Sequence, residues 1–129
     1  MISIVINRDG KGSIAGFTVE GHAEYIRFPA LFETIVKSFF IRKGSYAGFD
    51  TICAAVSAVT QSAVLGLKEV LDVPVGIEIE DGFLECILPE HLDRDVREKA
   101  DIILETMVLS LKDLAGQYKE HIEIVEAEV

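Results

Sequence analysis

At 129 residues, half of them hydrophobic and 26% charged, the chain has the length and composition of one folded domain rather than of a disordered tract. A formal net charge of −10 argues against direct nucleic-acid binding, which calls for a basic face, and favours a basic protein partner instead. No uninterrupted apolar run is long enough to span a bilayer and the first residues carry no basic leader, so no membrane association and a cytoplasmic location are expected.

Ile2 to Asn7 alternates as a strand, Asp9-Gly10-Lys11-Gly12-Ser13 is rich in turn formers, and Ile14 to Glu20 supplies the returning strand of a hairpin. Gly21 ends that strand and leaves His22 at its exit, where a rigid element can aim a side chain into a loop. Beyond Arg27-Phe28-Pro29, the residues Leu31, Phe32, Ile35, Val36, Phe39 and Phe40 recur in pairs four apart, which predicts a helical segment over 26–43. It reads either as a core helix or as a mobile lid or substrate platform, with Gly44-Ser45-Tyr46-Ala47-Gly48 as the return.

Asp50 then stands as a capping residue ahead of a long helix running to about Leu71, with Ile52, Val56, Val59, Ala63, Leu67 and Val70 along one stripe. Asp72-Val73-Pro74 stops it. Val75 to Glu80 and Phe83 to Leu88 flank the hairpin signal Asp81-Gly82. A second helix is expected from about Asp93 to Ala115, with Val96, Ala100, Ile103, Met107, Leu111 and Leu114 inward and Gly116 as its C-terminal cap. His121 to Val129 alternates as a last strand whose Glu123, Glu126 and Glu128 read as a solvated edge. The expected fold class is α+β: two β-hairpins and a final strand form a sheet, two long helices pack on it, and a helical insert is added.

The chemistry concentrates at two places. With Asp50 as cap, Cys53 falls at the third helical position, where the partial positive charge of a helix start favours a thiolate. His22 within reach would complete a Cys/His pair. Against this stands the ordinary reading, in which Cys53 is a packed core thiol and His22 a hydrogen-bonded structural residue. Cys86, the other cysteine, sits in an apolar strand and reads as core. A metal site built from His22, Cys53 and Asp50 lacks any metal-type spacing.

Gly21-His22-Ala23, a glycine-bearing loop ending in Asp50, and Ile52-Cys53-Ala54-Ala55-Val56-Ser57-Ala58-Val59-Thr60-Gln61 together resemble the ribosomal-processing cysteine protease family of bacteria. The order of elements is similar over nearly the whole chain, as is the segment Ile103 to Leu111. The resemblance implies a single cysteine protease-like domain over 1–129. It further implies a homodimeric, cofactor-free endopeptidase that removes the N-terminal extension of large-subunit ribosomal protein number twenty-seven. Cys53 matches the nucleophile, His22 the general base, and Asp50 and Ser57 the motif's other polar positions. This chain departs from the family in the length between His and Cys, which holds roughly one helix more, Ile26 to Lys43.

The segment Lys37-Ser38-Phe39-Phe40-Ile41-Arg42-Lys43-Gly44 resembles the family's substrate around the cut. Phe39 and Phe40 are therefore candidates to occupy the substrate groove, with Gly48 in the same lid; alternatively they are core aromatics. A non-catalytic ribosome-associated binding module is the rival function, with Cys53 and His22 structural.

Overall fold

A computed structural model describes residues 1–22 and 51–129. The expected insert over 26–43, Asp50, and the candidate lid residues Phe39, Phe40 and Gly48 lie outside the described residues. The described elements run β1 (Ile2–Arg8), β2 (Ile14–Gly21), α1 (Thr51–Leu65) continuing into a π-helical turn (Gly66–Val70), β3 (Gly76–Glu80), β4 (Phe83–Ile87), α2 (Arg94–Gln117) and β5 (Ile122–Glu128). The strands form one five-stranded sheet in the order β3-β4-β2-β1-β5. Its neighbours pair antiparallel except β1 and β5, which are parallel. The α+β architecture is the one the sequence predicts.

Register explains the core. Ile2, Ile4 and Ile6 pair with Gly21, Val19 and Phe17 on one side and with Ile122, Ile124 and Glu126 on the other. Val19 and Phe17 in turn pair with Leu84 and Cys86. Since side chains alternate along a strand, these residues share one face. That face clusters with Ile52, Val56, Ala63, Val64 and Leu67 and with Ala100, Leu104, Met107, Val108 and Leu111, so both helices cover the same side of the sheet. Arg8 ties the far end of that layer together, bonding Glu105 of α2 and Glu126 of β5. The hydrogen bond from Arg8 holds the Glu126 carboxyl below the ordinary carboxylate range, with nearby Lys112 acting in the same direction. Glu126 is thus exposed on the edge strand, as expected, and also tied to Arg8.

Two helix ends differ from expectation. The long helix does not keep its 3.6-residue phase to Leu71: the Leu71 N–H bonds to the Gly66 carbonyl, a π-type turn. The wider turn carries Val70 off the core stripe, leaving it 76% exposed while Leu67 stays buried. A β-carbon at Gly66 would approach Ile103 Cδ1 to 3.2 Å, so this glycine lets the turn lie close against α2. At the second helix, Gly116 is helical rather than a cap. The helix continues to Gln117, and Tyr118, packed against the core, closes it through its N–H to the Leu114 carbonyl.

Thr51–Val70 is also, by length and composition alone, apolar enough to cross a membrane, although polar residues interrupt its apolar run. In the fold its apolar stripe instead packs into the core through Ile52, Val56, Ala63, Val64 and Leu67.

Candidate active site

The sequence places His22 one step beyond the last residue of β2, and the sheet explains how it is held there. Gly21 has φ +98, a left-handed conformation open to glycine, and a β-carbon at this position would collide with the carbonyl oxygen of Met1. The close approach lets the Met1 amine donate to the His22 carbonyl at 2.7 Å. From the other side, the Gly21 N–H donates to the Gly82 carbonyl at 2.8 Å. The backbone around His22 is therefore pinned between the start of β1 and the β3–β4 turn.

Cys53 is the third residue of α1, so it lies in the first turn as the sequence reading requires. Ile52, its neighbour, is 2% exposed and plugs into the core, which fixes the rotation of the helix and leaves Cys53 half-buried at the rim. The Cys53 Sγ lies 4.0 Å from His22 Nδ1. Two residues 31 positions apart in sequence are thus brought into contact range. The distance is longer than a tight hydrogen bond, as is common where a nucleophile and base close up on substrate.

The pair opens onto a cleft of about 370 Å³. Ser57, one helical turn beyond Cys53, lines it together with Thr60 and Gln61. Thr60 is buried and donates its hydroxyl to the Val56 carbonyl, so its polar group is satisfied within the helix. The opposite wall carries Val19, Ile79 and Leu84, and Glu80 and Asp81 stand at the rim. The cleft is therefore apolar along its floor and acidic at one edge. Asp81 and Gly82, read from sequence only as a hairpin turn, belong to the site: His22 Nε2 is 3.9 Å from Asp81 Oδ1. No local pattern announces this, because it depends on β2 pairing with β4.

A model of the cysteine protease Prp family matches residues 1–123. The chain belongs to the Prp family of cysteine proteases. The ribosomal processing cysteine protease Prp of Bacillus subtilis is 27% identical over 130 residues, covering 96% of each chain. The crystal structure of the ribosomal processing protease Prp from S. aureus with a covalently linked product peptide is similar at a TM-score of 0.73 and 22% identity, over 98% of this chain and 99% of that one. The same S. aureus protease with a substrate peptide gives 0.71 and 21%, over 98% and 99%. The Prp fold is thus shared across the full length, and the family places this chain among cysteine proteases of ribosomal processing.

Within the Prp fold the two thiols have opposite surroundings. Cys86 is fully buried between β2 and β3, and burial pushes its thiol up from 9.0 to about 11. Its protonated form is therefore favoured by folding. Since the unfolded thiol loses its proton first, this residue's contribution to stability is lost as pH rises from 9.0 towards 11. Brief treatment of the native protein with iodoacetamide at neutral pH is expected to label Cys53 at least about ten-fold faster than Cys86. Mass mapping showing equal, slow labelling would count against a reactive Cys53 and favour a non-catalytic module.

Proposed function

We propose that this protein is a cysteine endopeptidase that removes the N-terminal extension of large-subunit ribosomal protein number twenty-seven, with Cys53 as nucleophile and His22 as general base. The observation that carries the reading is the approach of Cys53 Sγ to His22 Nδ1 at the mouth of the cleft. Membership of a protease family and likeness to the ribosomal processing cysteine protease Prp of B. subtilis support it.

The chemistry follows from that geometry. His22 takes the thiol proton, and the Cys53 thiolate attacks the scissile carbonyl carbon, forming a C–S bond while the carbonyl oxygen becomes an oxyanion. The positive end of the α1 dipole lies beside that charge and stabilises it. Collapse of the intermediate breaks the C–N bond as His22 returns its proton to the leaving amine. A water molecule, deprotonated by His22, then hydrolyses the thioester and restores the thiol.

Ser57 lines the cleft from α1 and is assigned to substrate contact. Glu80 and Asp81 at the rim suit a substrate whose N-terminal region is basic, in line with the net charge of −10. The working form is a cytoplasmic homodimer that engages its protein substrate without contacting nucleic acid.

The test is incubation with a peptide spanning the extension and its junction, followed by mass analysis. Cleavage at one peptide bond at the junction is expected. An intact peptide after prolonged incubation with active-thiol protein would remove this substrate assignment.

A further inference from the structure

Resting on the protease reading of His22, we infer that the Asp81-Gly82 turn positions the base: Gly82 makes the seat of the imidazole and the Asp81 carboxylate orients its Nε2 side, so that Nδ1 faces Cys53. Two independent observations meet here. Asp81 Oδ1 stands 3.9 Å from His22 Nε2. Separately, Gly82 has φ +73, and a β-carbon on it would lie 2.8 Å from the same Nε2. The turn is thus pressed against the ring itself, and the ring is flanked by a thiol at one nitrogen and a carboxylate at the other.

Register makes the placement a property of the sheet. Glu20 pairs with Phe83, so the next step along the ladder sets Gly21 beside Gly82, where the N–H to carbonyl bond is made. One step further brings His22 beside Asp81. The base therefore rides on β2 and its orienting group on the β3–β4 turn, and the two cannot slip without breaking the ladder.

At 3.9 Å the Asp81 carboxylate makes no direct hydrogen bond to Nε2, but its charge favours a proton on that side of the neutral ring, leaving Nδ1 as the acceptor for the Cys53 thiol proton. The size of the effect is set by exposure: the Asp81 side chain is 94% exposed, so water screens much of the attraction. Among the described residues, the charged and titratable groups around the ring are Cys53 from α1, Asp81 from the turn and Glu80 at the cleft rim, while the Met1 amine binds the His22 carbonyl rather than the ring.

The experiment has two arms. In the Cys53→Ala background, nitrogen NMR reads which ring nitrogen of neutral His22 carries the proton. The parent is expected to hold it mainly at Nε2, Asp81→Asn to shift the balance towards Nδ1, and Asp81→Glu to restore most of it. A tautomer balance unmoved by Asp81→Asn overturns the role of Asp81, and this arm requires neither substrate nor activity.

In the second arm, Asp81→Asn in the active enzyme is expected to lower kcat for the junction peptide by about three- to ten-fold with KM within about two-fold. Gly82→Ala should lower kcat further, because it displaces the ring. A rise in KM alone, with kcat retained in both variants, would assign the turn to substrate binding and overturn its positioning role. Failure of the wild-type protein to cut the peptide would instead count against the protease assignment, leaving the NMR arm to decide on Asp81.

Discussion

Cys53→Ala and Cys53→Ser are expected to fold as the parent does and to lose at least about 10³-fold in kcat/KM on the junction peptide. Alanine removes the attacking atom. Serine keeps the shape but substitutes a hydroxyl that is far harder to ionise than a thiol beside the same imidazole. His22→Ala should fall nearly as far, since it removes the group that takes the thiol proton and protonates the leaving amine. Combining Cys53→Ala with His22→Ala should add little, because the two groups act as a unit. Cys53 is half-buried at the rim rather than in the core, so melting temperatures should change little in the cysteine variants. Parent-like turnover by any one of these single variants would end the protease assignment.

The largest expected effect on stability comes from a residue remote in chemistry but adjacent in structure. Phe17 is 1% exposed on β2, between Ile6 of β1 and Cys86 of β4. Phe17→Ala removes an aromatic ring from the middle of the sheet's covered face, where neighbours on both sides are fixed by strand pairing and cannot collapse inward. The expected loss is about 3–5 kcal/mol, a fall of roughly 10–20 °C in Tm, measured by thermal or urea unfolding. A loss under about 1 kcal/mol would mean that the helices close over the void. Because β2 also carries His22, activity measured near the lowered Tm should fall with the folded fraction.

Much of the architecture was legible because alternation and helical periodicity are local. Ile2, Ile4 and Ile6 announce a one-sided strand, and Ile52, Val56, Ala63 and Leu67 a helix with one apolar face. The proposed nucleophile was legible for a related reason: Cys53 needs only a helix start, which the sequence marks. What escaped was non-local. Asp81 and Gly82 look like any hairpin turn until β4 is laid against β2. Val70 was misplaced because a π-turn changes the phase of a helix without a distinctive composition. Gly116 was read as a stop, yet helix α2 continues through it and Tyr118, packed against the core, ends the element.

The parallel pairing of β1 with β5 sets Ile2 against Ile122, so the first strand finds one of its two neighbours only after almost the whole chain is available. Closing so long a loop precedes the reward of the contact, which places this domain among topologies that fold slowly for their size. Helix α1 and the β1–β2 hairpin, in contrast, draw their contacts from residues near in sequence. The thiol and the imidazole are therefore both synthesised in the first half of the chain, while the turn that seats the imidazole and the strand that completes the sheet come later. During synthesis, a nascent chain would carry its proposed nucleophile well before it could hold a peptide across it.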